Sequence, residues 1–517
     1  MSRTPDDRMP DDSMPDDRMA TAPQAASRPA GKVGIGTHYL RYSSASVLVM
    51  LAGLISFPAL TRLLDNTQYG ILGYYETWLM IAVAVAKLGA QHAIIRFYPY
   101  GQEGAGLRGF ATNLFLLPML VSLGLWALAM TVFFCIDYFG GASFSPVLWL
   151  AVLSIPLMVF VSLVQMVLRA GEHSGLLMVT RVSWRWLELA AMLGAVIALE
   201  RTALAAYGGK VLAAAVVIVF YVHWVRKNLQ FSRQALDVSQ FRMALRYGMP
   251  LVVNEIATVL LISIDRIMLK GLLDDFAVVG IYTIGYSLAL QVSMLMHAAL
   301  SESFVPVANR NYETEGAAGV RSLKRQVLFP MTYASIGVGV AIWCVGSEAV
   351  QAISGADKAA SGPVFAWIGT MYALYPLLDI GGYGLLLHKR SMTVLYLTLV
   401  VAALNIGLNL WLIPTLGVMG AVYATVASYA LLGAATCALC PRELRRLPDM
   451  RTLLLALGAA AAFVAVVRLT DLFGLVSPWT RLFTAFGLWL LLYVAPVLLL
   501  DARLRQLAAG WRRRKPA

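Results

Sequence analysis

The chain has 517 residues, 59% of them hydrophobic and 13% charged, with a mean hydropathy of +0.71, which excludes a soluble enzyme of two or three ordinary domains. It is nevertheless basic, with 41 Lys and Arg against 28 Asp and Glu and a net charge of +13, an excess that in a membrane chain reports uneven loops or anionic lipid. The four cysteines, Cys135, Cys344, Cys437 and Cys440, are too few and too apolar in context for a disulfide framework.

Residues 5–19 read PDDRM, PDDSM, PDDRM, a repeat with almost nothing to bury, so residues 1–36 are expected to be a disordered cytoplasmic tail. No signal peptide is expected, because the first apolar stretch begins only near Tyr39 and lacks a small-residue cleavage site. From there a bilayer core of about 30 Å, which needs about 20 apolar residues per helix, accommodates fourteen spans. They fall near 40–60, 71–91, 110–135, 146–168, 176–199, 203–225, 248–269, 277–299, 328–350, 363–386, 392–413, 417–438, 452–470 and 479–500. The longest connections are about 225–247 and 300–327, so no globular extramembrane domain is expected.

Cytoplasmic loops collect Lys and Arg. With the amino terminus inside, thirty basic residues fall on the cytoplasmic side, seven on the other, and four (Lys87, Arg181, Arg185 and Lys210) within spans. One miscounted span would destroy this asymmetry, so both termini are expected in the cytoplasm. Trp149, Trp224 and Trp479, near span ends, read as interfacial anchors.

The chain also repeats itself. Span 1 leads into LTRLLDNTQYG at 60–70 and a second span ending RFYP at 96–99; span 7 leads into IDRIMLKGLLDDFAVVGIY at 264–282 and a span ending ESFVP at 302–306. Six spans separate the copies, an even number, so they form a parallel repeat whose interface is the natural place for a central site. The expected organisation is an amino-terminal lobe at 37–227 (spans 1–6), a carboxyl-terminal lobe at 228–440 (spans 7–12), spans 13–14 at 441–502 and a basic cytoplasmic tail at 503–517.

On LTRLLDNTQYG, on YGMPLVVNEIATVLLISIDRIMLKGLLDDFAVVGIYTIGYSLAL at 247–290 and on ALNIGLNLWLIPTLGVMGAVYATVASY at 403–429, the chain resembles the Wzx-like lipid-linked oligosaccharide flippases, polysaccharide biosynthesis transporters of the MOP (MATE-like) superfamily. The resemblance covers about residues 38–500. It implies an all-α integral membrane protein in which two six-helix lobes surround a V-shaped cavity and two further helices pack outside. It also implies a cargo of oligosaccharide on polyprenyl diphosphate, carried between leaflets of the bacterial inner membrane by alternating access. Membrane lipids are implied partners, and a polysaccharide synthase complex is left open.

Four cations facing lipid would together cost about 10–14 kcal/mol on insertion scales, so they are expected to face a wet cavity or a partner. Arg181, Arg185 and Glu188 lie at i, i+4 and i+7, along one face of span 5. Arg forks suit bidentate phosphate binding, so Arg181, Arg185, Lys87 and Lys210 are expected to bind the cargo's diphosphate, with Arg62 at the outer mouth. Arg185 can alternatively pair with Glu188, and Arg181 and Lys87 can snorkel. Glu188, Glu255, Asp265, Arg266 and Asp379 are candidates for H+ or Na+ coupling or gating, although Asp265 and Arg266 also read as a structural polar pair. Asn405 and Asn409, at i and i+4, are candidates for glycan contact or for polar glue between helices.

No HExxH, P-loop or nucleophile motif occurs, the six His are scattered, and the CxxC at Cys437 and Cys440 lacks a second pair, so neither enzyme chemistry nor a metal or other cofactor is expected. A polysaccharide polymerase or ligase would need a long outer loop, and none here exceeds about fifteen residues. A drug exporter of the same superfamily is the nearer rival; spans 13–14 and the excess of membrane cations argue against it. Nucleic-acid binding is excluded because the basic residues are spread over short loops.

Overall fold

The computed structural model describes residues 35–101, 104–141, 144–299, 304–470 and 477–506. Nearly all of the expected 1–36 tail, the basic tail from 507 onward and residues 302–303 of ESFVP lie outside the described residues.

Helix α1 (Ile35–Leu63) is followed by α2 (Asn66–Ala86), which is capped by the Asp65 carboxylate accepting from the Gln68 N–H at 2.7 Å. A short α3 (Ala90–Arg96) leads to α4 (Ala105–Phe110), which runs through a π-helical turn into α5 (Leu117–Gly140). Helices α6 (Pro146–Ala170), α7 (Ser174–Ala198) and α8 (Ala203–Asn228) complete the first half. The second half holds α9 (Val238–Leu273), α10 (Phe276–Ala299), α11 (Val305–Ser354), α12 (Gly362–Gly382), α13 (Ser391–Leu416) and α14 (Val418–Leu439). Last come α15 (Met450–Thr470) and α16 (Pro478–Trp489), the latter continuing through a second π-turn into α17 (Ala495–Leu500).

All fourteen expected stretches fall mainly on helix, the tenth stopping at Gly382 and not at 386. Among the described residues, twelve helical stretches are long and apolar enough to cross a membrane. The other two long helices, α7 of 25 residues and α9 of 36, carry Arg181, Arg185 and Glu188, and Glu255, Asp265 and Arg266, and the arrangement is consistent with fourteen crossings.

Three local expectations change. The connection at 225–247 shrinks to residues 229–237, and 300–327 is largely the beginning of α11, which bends at Gly316 (φ 65). At about 1.5 Å per residue, α9 and α11 are far longer than a bilayer core, so their polar ends project as helix beyond it. The second span does not run through to residue 91: α2 ends at Ala86, Leu88 and Gly89 take left-handed φ values of 52 and 73, and α3 starts afresh.

The repeat is visible in the packing. In the first half α1 packs on α7, α7 on α8, α8 on α6 and α6 on α2; in the second, α9 packs on α13, α13 on α14, α14 on α12 and α12 on α10. Helices α15 and α16 lie against α11, outside this set. The halves meet along α2, and side-chain-free contacts make that possible. A Cβ on Gly70 would lie 1.9 Å from the Phe276 carbonyl oxygen, and one on Gly280, the corresponding residue of the repeat, 1.8 Å from that of Asn66. Beyond the other end of α2, a Cβ on Gly89 would lie 2.7 Å from the Gly248 Cα. In a membrane, where apolar burial gives helices no preference for one another over lipid, such close backbone approach supplies the van der Waals gain.

Candidate substrate cavity

The second turn of α7 begins a polar face. Arg185 Nη1 lies 3.0 Å from Glu188 Oε2, and both side chains enter a cavity of ≈ 350 Å³ between the halves. Lys210, on the neighbouring α8, enters the same space and holds Glu76 of α2 at 2.5 Å, with its ammonium 5.6 Å from the centre of the Tyr207 ring. Gly53 and Ser56 of α1, Tyr69 of α2, and Thr283, Ser287 and Gln291 of α10 complete the polar lining, among Phe57, Leu60, Met192 and Met294. One turn back on α7, Arg181 lines an adjoining cavity of ≈ 220 Å³ with Gln165 and Trp184, and Arg185 and Glu188 border both. Three of the expected residues on α7, together with Lys210, are therefore brought together. The alternative pairing of Arg185 with Glu188 is the one present.

Lys87 is elsewhere. It sits at the end of α2, 2.5 Å from Glu255 of α9, whose other carboxylate oxygen accepts from Gln91 Nε2 at 2.6 Å, with His92 Nε2 at 3.8 Å. Two residues singled out separately, a diphosphate ligand and a coupling acid, thus form one ion pair joining the halves next to the Gly89–Gly248 contact. Arg62 is also engaged: its guanidinium donates to the carbonyls of Ile353 at 2.9 Å and Ala352 at 2.7 Å, capping the end of α11 from across the halves.

Asp265 is fully buried and accepts from Asn409 Nδ2 at 2.6 Å, Tyr282 Oη at 2.5 Å and Thr425 Oγ1 at 2.9 Å. Arg266 stacks over the Tyr286 ring at 4.7 Å. Asn405 accepts from Asn409 at 3.1 Å, and both asparagines are completely buried. Asn409 faces the Asp265 carboxylate and Asn405 faces Asn409, and neither lines the cavity, because the i, i+4 spacing puts them on one face but does not say which neighbour that face meets. Asp379 stands apart on α12, close to His297.

Sequence reasoning passed over Glu76, Gln291 and Tyr69. A signal existed for Glu76, the sole acidic residue of the second span, since a lone carboxylate in an apolar helix needs a partner. Among the described residues no group of His, Cys, Asp and Glu is placed to hold a metal.

A two-lobed helical bundle built as a parallel repeat, with charged side chains drawn into a cavity between its halves, is the architecture of a multi-pass membrane transporter. The chain belongs to the polysaccharide biosynthesis protein family, whose model matches residues 37–311. No curated protein matches it in sequence. In structure it is similar to lipid II flippase MurJ in an inward closed conformation, at 14% identity and a TM-score of 0.69, covering 90% of this chain and 99% of that one. It is also similar to a multidrug resistance MATE family transporter of the MOP superfamily in an inward-facing conformation, at 16% identity and a TM-score of 0.57, covering 77% of this chain and 96% of that one. The MATE multidrug transporter DinF-BH gives 18% identity and a TM-score of 0.54 over 78% of this chain and 95% of that one. The fold is therefore that of the MOP superfamily, and these solved relatives are a flippase and transporters, not enzymes.

Proposed function

We propose that this protein is a flippase that moves an oligosaccharide repeat unit linked to polyprenyl diphosphate from the inner to the outer leaflet of the bacterial cytoplasmic membrane. The observation that carries the reading is the cavity between the lobes, where Arg185 and Lys210 reach a polar space inside an otherwise apolar bundle. Each cation waits on a carboxylate, Glu188 or Glu76, that an entering diphosphate can replace. Family membership and the flippase-like fold support the same reading. The glycan and diphosphate pass through the cavity while the polyprenyl tail stays in lipid.

Alternating access requires contacts that open by turns. At one end the Gly70–Gly280 crossing and Arg62 on the end of α11 hold the lobes together; at the other, Lys87–Glu255 and Gly89–Gly248 do. We assign gating to these and cation coupling, by H+ or Na+, to the buried Asp265 with Asn405, Asn409 and Thr425.

The test is export of lipid-linked repeat units in a strain deleted for the gene. Arg185→Gln and Lys210→Gln, expressed at wild-type level, should each reduce export at least tenfold; unchanged export sinks the cavity assignment. A drug exporter of the same superfamily would instead restore resistance to cationic dyes in a sensitive strain.

A further inference from the structure

The two walls of the cavity differ in chemistry. The wall from α7 and α8 is charged, whereas α10 carries no Asp, Glu, Lys or Arg from Phe276 to His297 and offers Thr283, Ser287 and Gln291 at i, i+4 and i+8 on one face. Thr283 is occupied, donating to the Val279 carbonyl at 2.7 Å. Gln291 is different: its amide oxygen is buried and has no hydrogen-bond partner. A buried acceptor left unmade is costly, and a ligand that donates to it recovers that cost on binding.

Gly53 of α1 opens the space in front of this amide. A Cβ on Gly53 would lie 3.4 Å from Gln291 Nε2 and 4.0 Å from Arg185 Nη2, so the amide of one lobe and the guanidinium of the other border the same slot. A phosphate bound by Arg185 would leave its attached sugar facing Gln291.

We propose that the slot beside Gly53 is the subsite for the first sugar of the cargo, the one bonded to the diphosphate, and that Gln291 is a specificity-determining residue whose amide oxygen accepts from a hydroxyl or N–H of that sugar. This rests on the cavity being the cargo site. The diphosphate is held by the amino-terminal lobe and the sugar is read by the carboxyl-terminal lobe, so both lobes are engaged only by a headgroup that carries a sugar.

The experiment uses the full chain in lipid nanodiscs and two probes, farnesyl diphosphate and the same lipid with one hexose on the diphosphate. Gln291→Leu should weaken binding of the hexose-bearing probe about tenfold, the effect of one lost hydrogen bond, and leave farnesyl diphosphate unchanged. Gly53→Ala, whose methyl group makes only ordinary contacts and so does not disturb folding, should fill the slot and give the same pattern. Equal loss for both probes, or no loss for either, overturns the proposal. Arg185→Gln is the separate control: it should weaken both probes. If it weakens neither, the cavity is not the diphosphate site, and the underlying reading fails. If it weakens both while Gln291→Leu spares both, only the sugar subsite fails.

Discussion

Lys210 is 9% exposed, and its ammonium is tolerable inside the bundle because Glu76 and the Tyr207 ring take the place of water. Removing one partner of a buried pair costs about 3–5 kcal/mol; the Glu76 side chain is 38% exposed, so the loss for Glu76→Gln should fall at or below the low end of that range. The double variant Glu76→Gln with Lys210→Gln should recover most of the thermal stability in detergent but not export. Recovery of both would make the pair purely structural. At this scale the sequence is legible only where partners are close along the chain. Arg185 and Glu188 are three residues apart on one helix, and their pairing can be foreseen. Lys87 and Glu255 are 168 residues apart, and nothing local links them. Lys324 is a further case: it counts among the cytoplasmic loop cations in the sequence, yet it is fully buried and donates to the carbonyls of Gly381 at 2.9 Å and Leu444 at 2.7 Å.

Among the elements, the last helices are fastened to the lobes by a polar clasp. The Asp501 carboxylate, just past α17, receives Tyr333 Oη of α11 at 3.0 Å and Arg503 Nη2 at 3.0 Å, and the Arg503 guanidinium lies 4.5 Å from the centre of the Phe329 ring. Burial acts to raise the Asp501 carboxyl, but the hydrogen bonds from Arg503 and Tyr333 outweigh it and hold the group below the usual carboxylate range. A lowered folded-state value means the clasp contributes fully above the ordinary carboxylate range and is lost as pH falls through the lowered value. The melting temperature of Asp501→Asn should therefore lie below that of the wild type at pH 7, with the gap closing in acid; a gap independent of pH would remove the electrostatic account. Element positions were readable because each apolar run needs about twenty residues to span. The break after α2 was not: Leu88 and Gly89 sit within an apolar stretch, and the Gly248 backbone against which Gly89 packs belongs to the other lobe, 159 positions along the chain. A second expectation concerns the α2–α10 crossing. Gly280→Val places a side chain where the Asn66 carbonyl stands, so it should prevent that closure and raise the reactivity of a cysteine introduced at Ser287 toward soluble maleimide.

For the whole molecule, the thirty-to-seven distribution of basic residues expects one orientation. In a cysteine-free background, Asp274→Cys should react with a membrane-impermeant maleimide on intact cells and Lys389→Cys only after permeabilisation; the reverse pattern inverts the topology. Coupling is testable in proteoliposomes, where an imposed proton or sodium gradient should accelerate translocation in the wild type and not in Asp265→Asn. The two-lobed plan was legible because a repeat in sequence and a repeat in packing report the same symmetry. The cavity's chemistry was half legible, since its cations are conspicuous in an apolar chain whereas Gln291 and Ser287 are ordinary polar residues until the fold turns them inward.

The Gly70 contact lies in the first turns of α2 and the Gly89 contact just past its last residue, Ala86; the 21 residues of α2 between Asn66 and Ala86 span roughly 30 Å at 1.5 Å per residue, close to the thickness of the hydrocarbon layer. If the lobes alternate as proposed, a helix held near each of its ends would act as a lever with two alternative fulcrums. Rotating it by about 10° on one grip separates the other by about 5 Å, enough to unseat a backbone contact that depends on the absence of a side chain. Small residues at two points can thus give large motion at either face without any change in the bundle's interior packing.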